Sequence, residues 1–197
     1  MQKSEKTRER ILESTLALMR EGGHDLEALT IRGIAERAGV SVGLINHHFG
    51  SKEKLVEQCV QRIIGGVISA FTPSIPTADP VGKLQCVAKQ VADFLMNNPA
   101  ISRQSILGDL AHPEAADNTM RTAEGFARRF AGAVPNQADL RRAFLLTAIL
   151  QVSFLRKETL ADSIGIDFFS KPERDAYIDA WVEQIYGNRG DGSWIES

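Results

Sequence analysis

The stretch that most constrains the fold is "TIRGIAERAGVSVGLINHHF", residues 30–49, where signals that start and stop helices follow one another closely. Thr30 is a good N-cap, and the apolar residues after it lie on one side of a helix that ends at Gly39. Ser41 begins a second helix immediately afterwards. The joint needs a residue that tolerates positive φ, which Gly39 supplies. The pattern predicts a helix-turn-helix.

Helical spacing of apolar residues continues along the rest of the chain, and no convincing strand run interrupts it. The segment "TPSIPTADP", residues 72–80, carries three prolines and predicts a linker. We therefore expect an all-α fold of about nine helices. It divides into an N-terminal unit that contains the helix-turn-helix (1–62, with the second helix of the hairpin at about 41–48), a larger helical C-terminal unit (63–190) and a frayed tail (191–197).

Composition and spacing argue against several other classes of protein. The formal net charge is −2, hydrophobic residues make up 43%, and no apolar stretch is long enough to cross a membrane. The two cysteines, Cys59 and Cys86, lack the spacing of a metal site and are simplest as buried apolar residues, with a redox role left open. The expectation is a cytoplasmic protein with no membrane association, no cofactor and no metal.

His47 and His48 lie beside each other within the second helix, which raises the possibility of catalysis or metal binding. Adjacent side chains on a helix diverge by roughly 100°, so the pair cannot chelate one metal as an i, i+4 pair does. Ser41 is not preceded by a strand or by a G-x-S-x-G motif, which disfavours a serine nucleophile. We therefore predict that this segment is not an active site and that the protein is not an enzyme.

The second helix is predicted to turn Ile45 and Phe49 inward and to present an unusual outward surface. Small, apolar or hydrogen-bonding residues occupy that surface, where a purely structural helix would carry charge. Asn46 suits an adenine edge or a phosphate, and helix N-termini attract phosphate anions. Lys3, Lys6 and Arg8 form a possible arm before the first helix. The predicted DNA-binding residues are Thr30, Arg32, Ser41, Val42, Gly43, Leu44, Asn46, His47, His48 and Lys52.

These residues resemble the DNA-binding domain of the TetR (tetracycline-repressor-like) family of transcriptional regulators. The resemblance covers roughly residues 8–60 and is carried by Thr30, Ile34-Ala35, Ala38-Gly39-Val40-Ser41, Gly43, His48-Phe49, Lys52 and Leu55. One residue departs from the family pattern: Asn46 stands where the family usually has Tyr, a frequent phosphate contact. Beyond Phe71 only the helical layout and the length are similar.

The resemblance implies a pocket for a small-molecule effector in the C-terminal domain, and apolar residues with a few polar groups there fit such a site. The predicted pocket residues are Phe94, Ile101, Gln104, Leu107, His112, Met120, Phe126, Gln151 and Phe154.

The segment "LRRAFLLTAILQVSFL", residues 140–155, is apolar around most of its circumference, which is more than one buried stripe requires. With the final helix it predicts a four-helix interface in a homodimer, and burial within one protomer is the alternative. The predicted interface residues are Phe144, Ala148, Val152, Tyr177, Trp181 and Ile185. A two-fold dimer would read a palindromic operator in double-stranded DNA.

The hypothesis that follows is a homodimeric transcriptional repressor that a small, largely apolar effector releases from its operator. Two alternatives stay open at this stage. One is an all-α binding protein for apolar molecules whose helix-turn-helix is purely structural. The other is an enzyme with an all-α hydrophobic pocket, although no polar catalytic pair is evident.

Overall fold

A computed structural model of the protein describes residues 2–21, 26, 28–70, 79–132 and 134–187. Within those residues the chain forms ten helices and no strand, which confirms the predicted all-α fold. The helices are α1 (Gln2–Glu21), α2 (Ile31–Ala38), α3 (Val42–Phe49), α4 (Lys52–Ala70), α5 (Pro80–Asn97), α6 (Pro99–Ala111), α7 (Asn118–Ala131), α8 (Gln137–Leu155), α9 (Leu160–Ile164) and α10 (Lys171–Tyr186).

The described part of the chain contains one helix more than the predicted nine, because the helical spacing of apolar residues continues from 138 to 162 whereas the structure divides this segment into two helices. α8 ends at Leu155, and the Thr159 N–H then donates to the Arg156 carbonyl oxygen at 2.8 Å in a tight turn. α9 follows this turn. Residues 72–78 of the predicted linker and the whole predicted tail, 191–197, lie outside the described residues, and α5 begins at the last linker residue, Pro80.

The chain folds as two compact units that are not contiguous in sequence. Unit 1 contains residues 1–66 and 98–111, and unit 2 contains residues 67–97 and 112–197. Helix α6 thus belongs to the same unit as the helix-turn-helix, although its neighbours in sequence, α5 and α7, belong to unit 2. The first crossing between the units lies at 66–67, and the predicted boundary near residue 62 stays a prediction, made without α6 in the N-terminal unit.

Unit 1 is built on the apolar sides of α1 and α4 and on the inner sides of α2, α3 and α6. α1 packs against α2, and α2 packs against α3. Ile11, Met19, Ile34 and Ile45 have no exposed surface. On α6 the Asp109 carboxylate accepts a hydrogen bond from Gln61 Nε2 of α4 at 2.9 Å, so a polar contact joins these two helices.

Unit 2 has one apolar core to which α5, α7, α8 and α10 all contribute. Small residues, Ala88, Ala92, Ala123, Ala127 and Ala143, lie beside larger ones in this cluster, so neighbouring helices can pack closely. The largest side chains in the cluster are Phe126 and Tyr186. The helical periodicity of these apolar residues therefore accounts for the packing of the unit.

A charged contact joins α10 to α5 inside unit 2. Arg174 is 4% exposed and donates to the Asp93 carboxylate at 2.7 Å and to the Phe168 carbonyl oxygen at 2.9 Å. Lys171 Nζ donates to the other Asp93 oxygen at 2.7 Å. Burial raises the pKa of the Asp93 carboxyl, but the hydrogen bonds from Lys171 and Arg174 outweigh it and hold that pKa below its usual range.

Candidate nucleic-acid interface

The α2–turn–α3 hairpin is fixed by caps formed by its own residues. Thr30 has φ −107° and ψ 144°, and its Oγ1 accepts a hydrogen bond from the Gly33 N–H at 3.1 Å. Gly39 ends α2 with φ 61°, in the left-handed region where glycine is not strained. Ser41 Oγ then accepts from the Leu44 N–H at 3.2 Å and starts α3. Both predicted N-caps and the predicted positive-φ glycine are confirmed.

Two side chains anchor α3 to unit 1. Ile45 has no exposed surface and Phe49 is 5% exposed, so the predicted inward side of this helix is confirmed. The Arg8 guanidinium lies 5.3 Å from the centroid of the Phe49 ring, and it donates to Gln58 Oε1 at 2.6 Å. Arg8 belongs to α1, which begins at Gln2. The prediction that it forms part of an arm before the first helix is therefore wrong, because it joins α1 to α3 and α4.

The opposite side of α3 carries no Asp, Glu, Lys or Arg side chain. Gly43, Asn46 and His47 are exposed and, at spacings of three and four residues, share one face of the helix. His48 is half-buried, with its ring centroid 6.3 Å from that of Phe49. This face offers hydrogen-bond donors and acceptors with little bulk.

The start of α4 lies close to the start of α2. Lys52 Nζ donates to the Leu29 carbonyl oxygen at 2.9 Å, next to the residue that caps α2. Its ammonium therefore lies near the positive end of the α2 dipole, and a bound anion would relieve that unfavourable pairing. Ser51 Oγ accepts from the Lys54 N–H at 3.3 Å and caps α4. Nothing in the local sequence pattern predicts the contact between Lys52 and Leu29.

Two basic residues of α2, Arg32 and Arg37, differ in their contacts. Arg32 is exposed. Arg37 forms a two-pronged contact with the Glu21 carboxylate, at 2.6 and 3.0 Å. Its hydrogen bond and charge interaction with Glu21 raise the pKa of Arg37. We infer that Arg32 is the better placed of the two for a phosphate, because Arg37 already has a carboxylate partner.

All ten predicted DNA-binding residues lie in this one region, on α2, on α3, at the start of α4 or at the N-caps. Those with exposed side chains or backbone are Thr30, Arg32, Ser41, Gly43, Asn46 and His47, and those that are half-buried are Val42, Leu44, His48 and Lys52.

The predicted pocket residues divide between the two units. Phe126 and Phe154 are buried in unit 2, where Gln151 Nε2 also donates to Thr119 Oγ1 at 2.9 Å. Met120 and Phe94 are half-buried in the same unit. On α6, Ile101 is buried, but the buried side of that helix runs through residues 102, 105, 106 and 109, which turns Gln104 and Leu107 outward.

His112 is exposed as well. Gln104 and Leu107 of unit 1 and His112 of unit 2 are thus exposed, and their place in a pocket stays a prediction. One cleft of about 430 Å³ in unit 2 lies at the α7–α8 turn and is lined by Glu124, Arg128, Val134, Pro135 and Leu140, none of which was predicted as a pocket residue.

The residues predicted at a dimer interface lie on α8 and α10. Phe144 is 47% exposed and Val152 is 53% exposed. Ala148, Tyr177, Trp181 and Ile185 are half-buried. Tyr177 is 3.4 Å from Ser153 Oγ and packs edge-to-face against Trp181.

The residues that the structure describes contain neither a metal-binding cluster nor a membrane-spanning helix. No group of three or more His, Cys, Asp or Glu residues among them could hold a metal ion. None of the helices in the same residues is long and apolar enough to cross a membrane. Burial raises the pKa of the Cys59 thiol to about 12, which makes it a poor nucleophile at neutral pH.

Comparison with known proteins agrees with this geometry. Residues 11–59 match the family model described as "Bacterial regulatory proteins, tetR family". The chain is 28% identical over 147 residues to the HTH-type transcriptional repressor KstR of Rhodococcus jostii, an alignment that covers 72% of this chain and 68% of that protein. It is 27% identical over 158 residues to the HTH-type transcriptional regulator BetI of Burkholderia cenocepacia, covering 76% and 80% of the two chains.

Solved structures show the same fold. A TetR transcriptional regulator from Rhodococcus sp. RHA1 superposes with a TM-score of 0.66 at 18% identity, covering 97% of this chain and all of the other. A regulator from Mesorhizobium loti superposes with a TM-score of 0.54 at 21% identity, covering 93% and 96%. Transcriptional regulators, not enzymes, make up this family. The matched helix-turn-helix, the relatives and the fold together support a DNA-binding transcriptional regulator of the TetR family.

Proposed function

We propose that the protein is a homodimeric repressor that binds a palindromic operator and is released by a small, largely apolar effector. The observation that carries this proposal is the outward face of α3, which exposes Gly43, Asn46 and His47 and is bordered by the capped starts of α2 and α4. Such a face suits the major groove, while the helix N-termini suit the phosphates on either side of it. The relative named KstR is a repressor, which supports repression rather than activation.

Lys52 is the proposed phosphate contact that the structure supports best. Its ammonium has three donors, and one of them is used by the Leu29 carbonyl oxygen. Two donors stay available beside the N-terminus of α2, so a phosphate oxygen there would interact with both the ammonium and the backbone N–H groups.

The proposed dimer forms through α8 and α10. Phe144, Leu145 and Val152 are exposed on α8, and an apolar surface of this kind on a helix favours association with another protein surface. A two-fold axis through this surface would present two reading helices to successive turns of the duplex, about 34 Å apart or a multiple of that distance.

The proposed effector site lies in unit 2, among side chains of α5, α7 and α8. Phe126 and Phe154 supply apolar surface, and Gln151 with Thr119 supplies a polar pair that is only half-buried. An effector weakens operator binding only if it has a higher affinity for the conformation that binds DNA poorly.

Fluorescence anisotropy with the DNA upstream of the protein's own gene tests DNA binding. We expect selective binding to a palindromic duplex over a scrambled one, and a steep loss of affinity between low and moderate salt. Lys52→Met should weaken binding to both duplexes alike and reduce the salt slope by about two, because each dimer loses two phosphate contacts. The control is Lys83→Met, which changes a lysine that is also half-buried but lies in unit 2, away from the helix-turn-helix. Equal affinity for both duplexes at every salt concentration would refute the proposed function.

A further inference from the structure

The exposed face of α3 contains few side chains that can read DNA. Gly43, Asn46 and His47 share this face, and Gly43 has no side chain. Val42, Leu44 and His48 are half-buried, and Ile45 and Phe49 are buried. Asn46 and His47 are therefore the two exposed side chains of α3 that carry hydrogen-bonding groups.

Phosphate contacts have other candidates in the same region. Arg32 and Lys52 are basic, and the starts of α2, α3 and α4 offer backbone N–H groups beside Thr30, Ser41 and Ser51. Asn46 and His47 lie between these groups along the chain and carry no permanent charge. Their chemistry fits the edges of bases better than it fits the backbone.

The two side chains offer different patterns of donors and acceptors. A carboxamide presents one donor and one acceptor side by side, which matches N6–H and N7 of adenine. An imidazole N–H can donate to N7 or O6 of guanine. Because adjacent residues on a helix diverge by about 100°, the two side chains cannot share one base. Each is therefore expected to contact a different base pair.

We propose that Asn46 and His47 are the specificity-determining pair of this regulator, with Asn46 selecting an adenine and His47 a guanine in a nearby base pair of each half-site. This inference rests on the proposed function, because it requires α3 to enter the major groove. It assigns to Asn46, the residue that departs from the family pattern, a base contact instead of a phosphate contact.

The test is selection from a library of duplexes randomised over about 20 base pairs, about two turns of DNA, with the bound fraction sequenced. The wild-type protein should enrich a palindrome that contains an adenine and a guanine in each half-site. Asn46→Ala should lose the adenine preference alone and weaken binding to the best duplex by about 5- to 150-fold for each half-site. His47→Ala should lose the guanine preference alone, and neither change should alter the salt slope.

A third variant changes a preference instead of removing one. Asn46→Asp keeps the size of the side chain but leaves only acceptors, so the preferred base should shift from adenine to cytosine, whose N4 amino group is a donor. A side chain that contacted phosphate would instead be repelled equally from every duplex. The control is Asn97→Ala, which changes an exposed residue outside α3 and should leave the selected sequence unchanged.

Circular dichroism and melting temperature establish that each variant is folded before selection. A wild-type motif that all three α3 variants reproduce with the same base preferences would overturn this inference and leave the proposed function intact. Uniform weakening on every duplex would overturn it too, because it would assign both side chains to phosphates. Failure of the wild-type protein to enrich any motif would refute the proposed function itself, and this inference with it.

Discussion

Helices α3 and α8 both present outward faces with little charge, and the two faces differ in what they offer. The face of α3 exposes a glycine, an amide and an imidazole, which are small or hydrogen-bonding. The face of α8 exposes Phe144, Leu145 and Val152, which offer apolar area and no donors. A polar uncharged face is suited to base edges, and an apolar face is suited to another apolar protein surface. Low charge alone therefore does not identify a partner; the distribution of donors and acceptors does.

The two helices also differ in how they are held. α3 has eight residues, too few to be stable alone, and depends on its Ser41 cap and on Ile45 and Phe49. α8 has nineteen residues and is held by a row of buried side chains that includes Leu146 and Leu150. Substitutions on the outward faces should therefore change binding, while substitutions on the inward sides should change stability.

The largest expected effect comes from placing charge on the α8 face. Phe144→Glu combined with Val152→Glu should convert the dimer to a monomer, because an apolar interface cannot compensate buried carboxylates. Operator affinity should fall by about 100-fold or more, since a monomer has lost its second reading helix. Light scattering and anisotropy measure the two effects. Ala161→Glu, on an exposed position of α9, is the control, and a double variant that stays dimeric would place the interface elsewhere.

The next effect compares two neighbours on α3. Ile45→Ala should lower the free energy of unfolding by about 3 kcal/mol, because it leaves a cavity where the side chain had no exposed surface. Asn46→Ala should change that free energy by less than about 0.5 kcal/mol, because its side chain is exposed. Urea denaturation at one fixed protein concentration measures both. Similar losses in the two variants would contradict the inward and outward assignment.

A smaller effect tests the contact that fixes α10, the helix proposed to join α8 in the interface. Asp93→Asn should lower the free energy of unfolding by about 1–2 kcal/mol at pH 7, because Arg174 loses a charged partner that is itself partly exposed to solvent.

This contact also has a predicted pH dependence. The folded-state pKa of Asp93 is lowered, so its contribution to stability is present above the unfolded value of about 3.9 and is lost as pH falls through the folded value. Melting curves at pH 7 and pH 3 should therefore show a difference between wild type and Asp93→Asn that shrinks in acid. A difference that is independent of pH would argue against the ionised pair.

The smallest effect concerns the cap of α3. Ser41→Ala should cost about 1 kcal/mol of stability, and Ser41→Gly only a few tenths, because glycine leaves the N-terminal N–H groups open to water. Ser163→Ala, at an exposed position of α9, is the control. Thermal melts with small increments in temperature measure the series, and an Ala variant as stable as wild type would show that the cap contributes nothing.

Sequence reasoning succeeded where the determining interactions are local. Thr30, Gly39 and Ser41 act within a few residues of their own positions, so their caps and turn were predictable, as were the inward positions of Ile45 and Phe49. It failed where a residue is held by distant partners. Arg8 seemed to belong to an arm, but Gln58 and Phe49 hold it, and no local pattern contains those contacts.

The contrast between local and distant interactions also explains why Gln104 and Leu107, predicted as pocket residues, lie on the exposed side of α6. A helical segment with apolar residues on several sides does not reveal which side is buried, and α6 buries residues 101, 102, 105, 106 and 109. Gln104 and Leu107 lie on its other side. The division of α8 from α9 was missed for a related reason, since Arg156–Thr159 form a turn without the glycine or proline that would have predicted it.

The membership of α6 in unit 1 has a consequence for exchanging parts between regulators. The backbone crosses between the units at 66–67, 97–98 and 111–112, so the DNA-reading module is not one continuous piece of the gene. A hybrid made by joining residues 1–66 to a foreign effector domain would leave out Asp109, which accepts the hydrogen bond from Gln61. A hybrid that preserves this module needs residues 98–111 as well. Otherwise the foreign effector domain must have a sixth helix with an equivalent hydrogen-bond acceptor for Gln61.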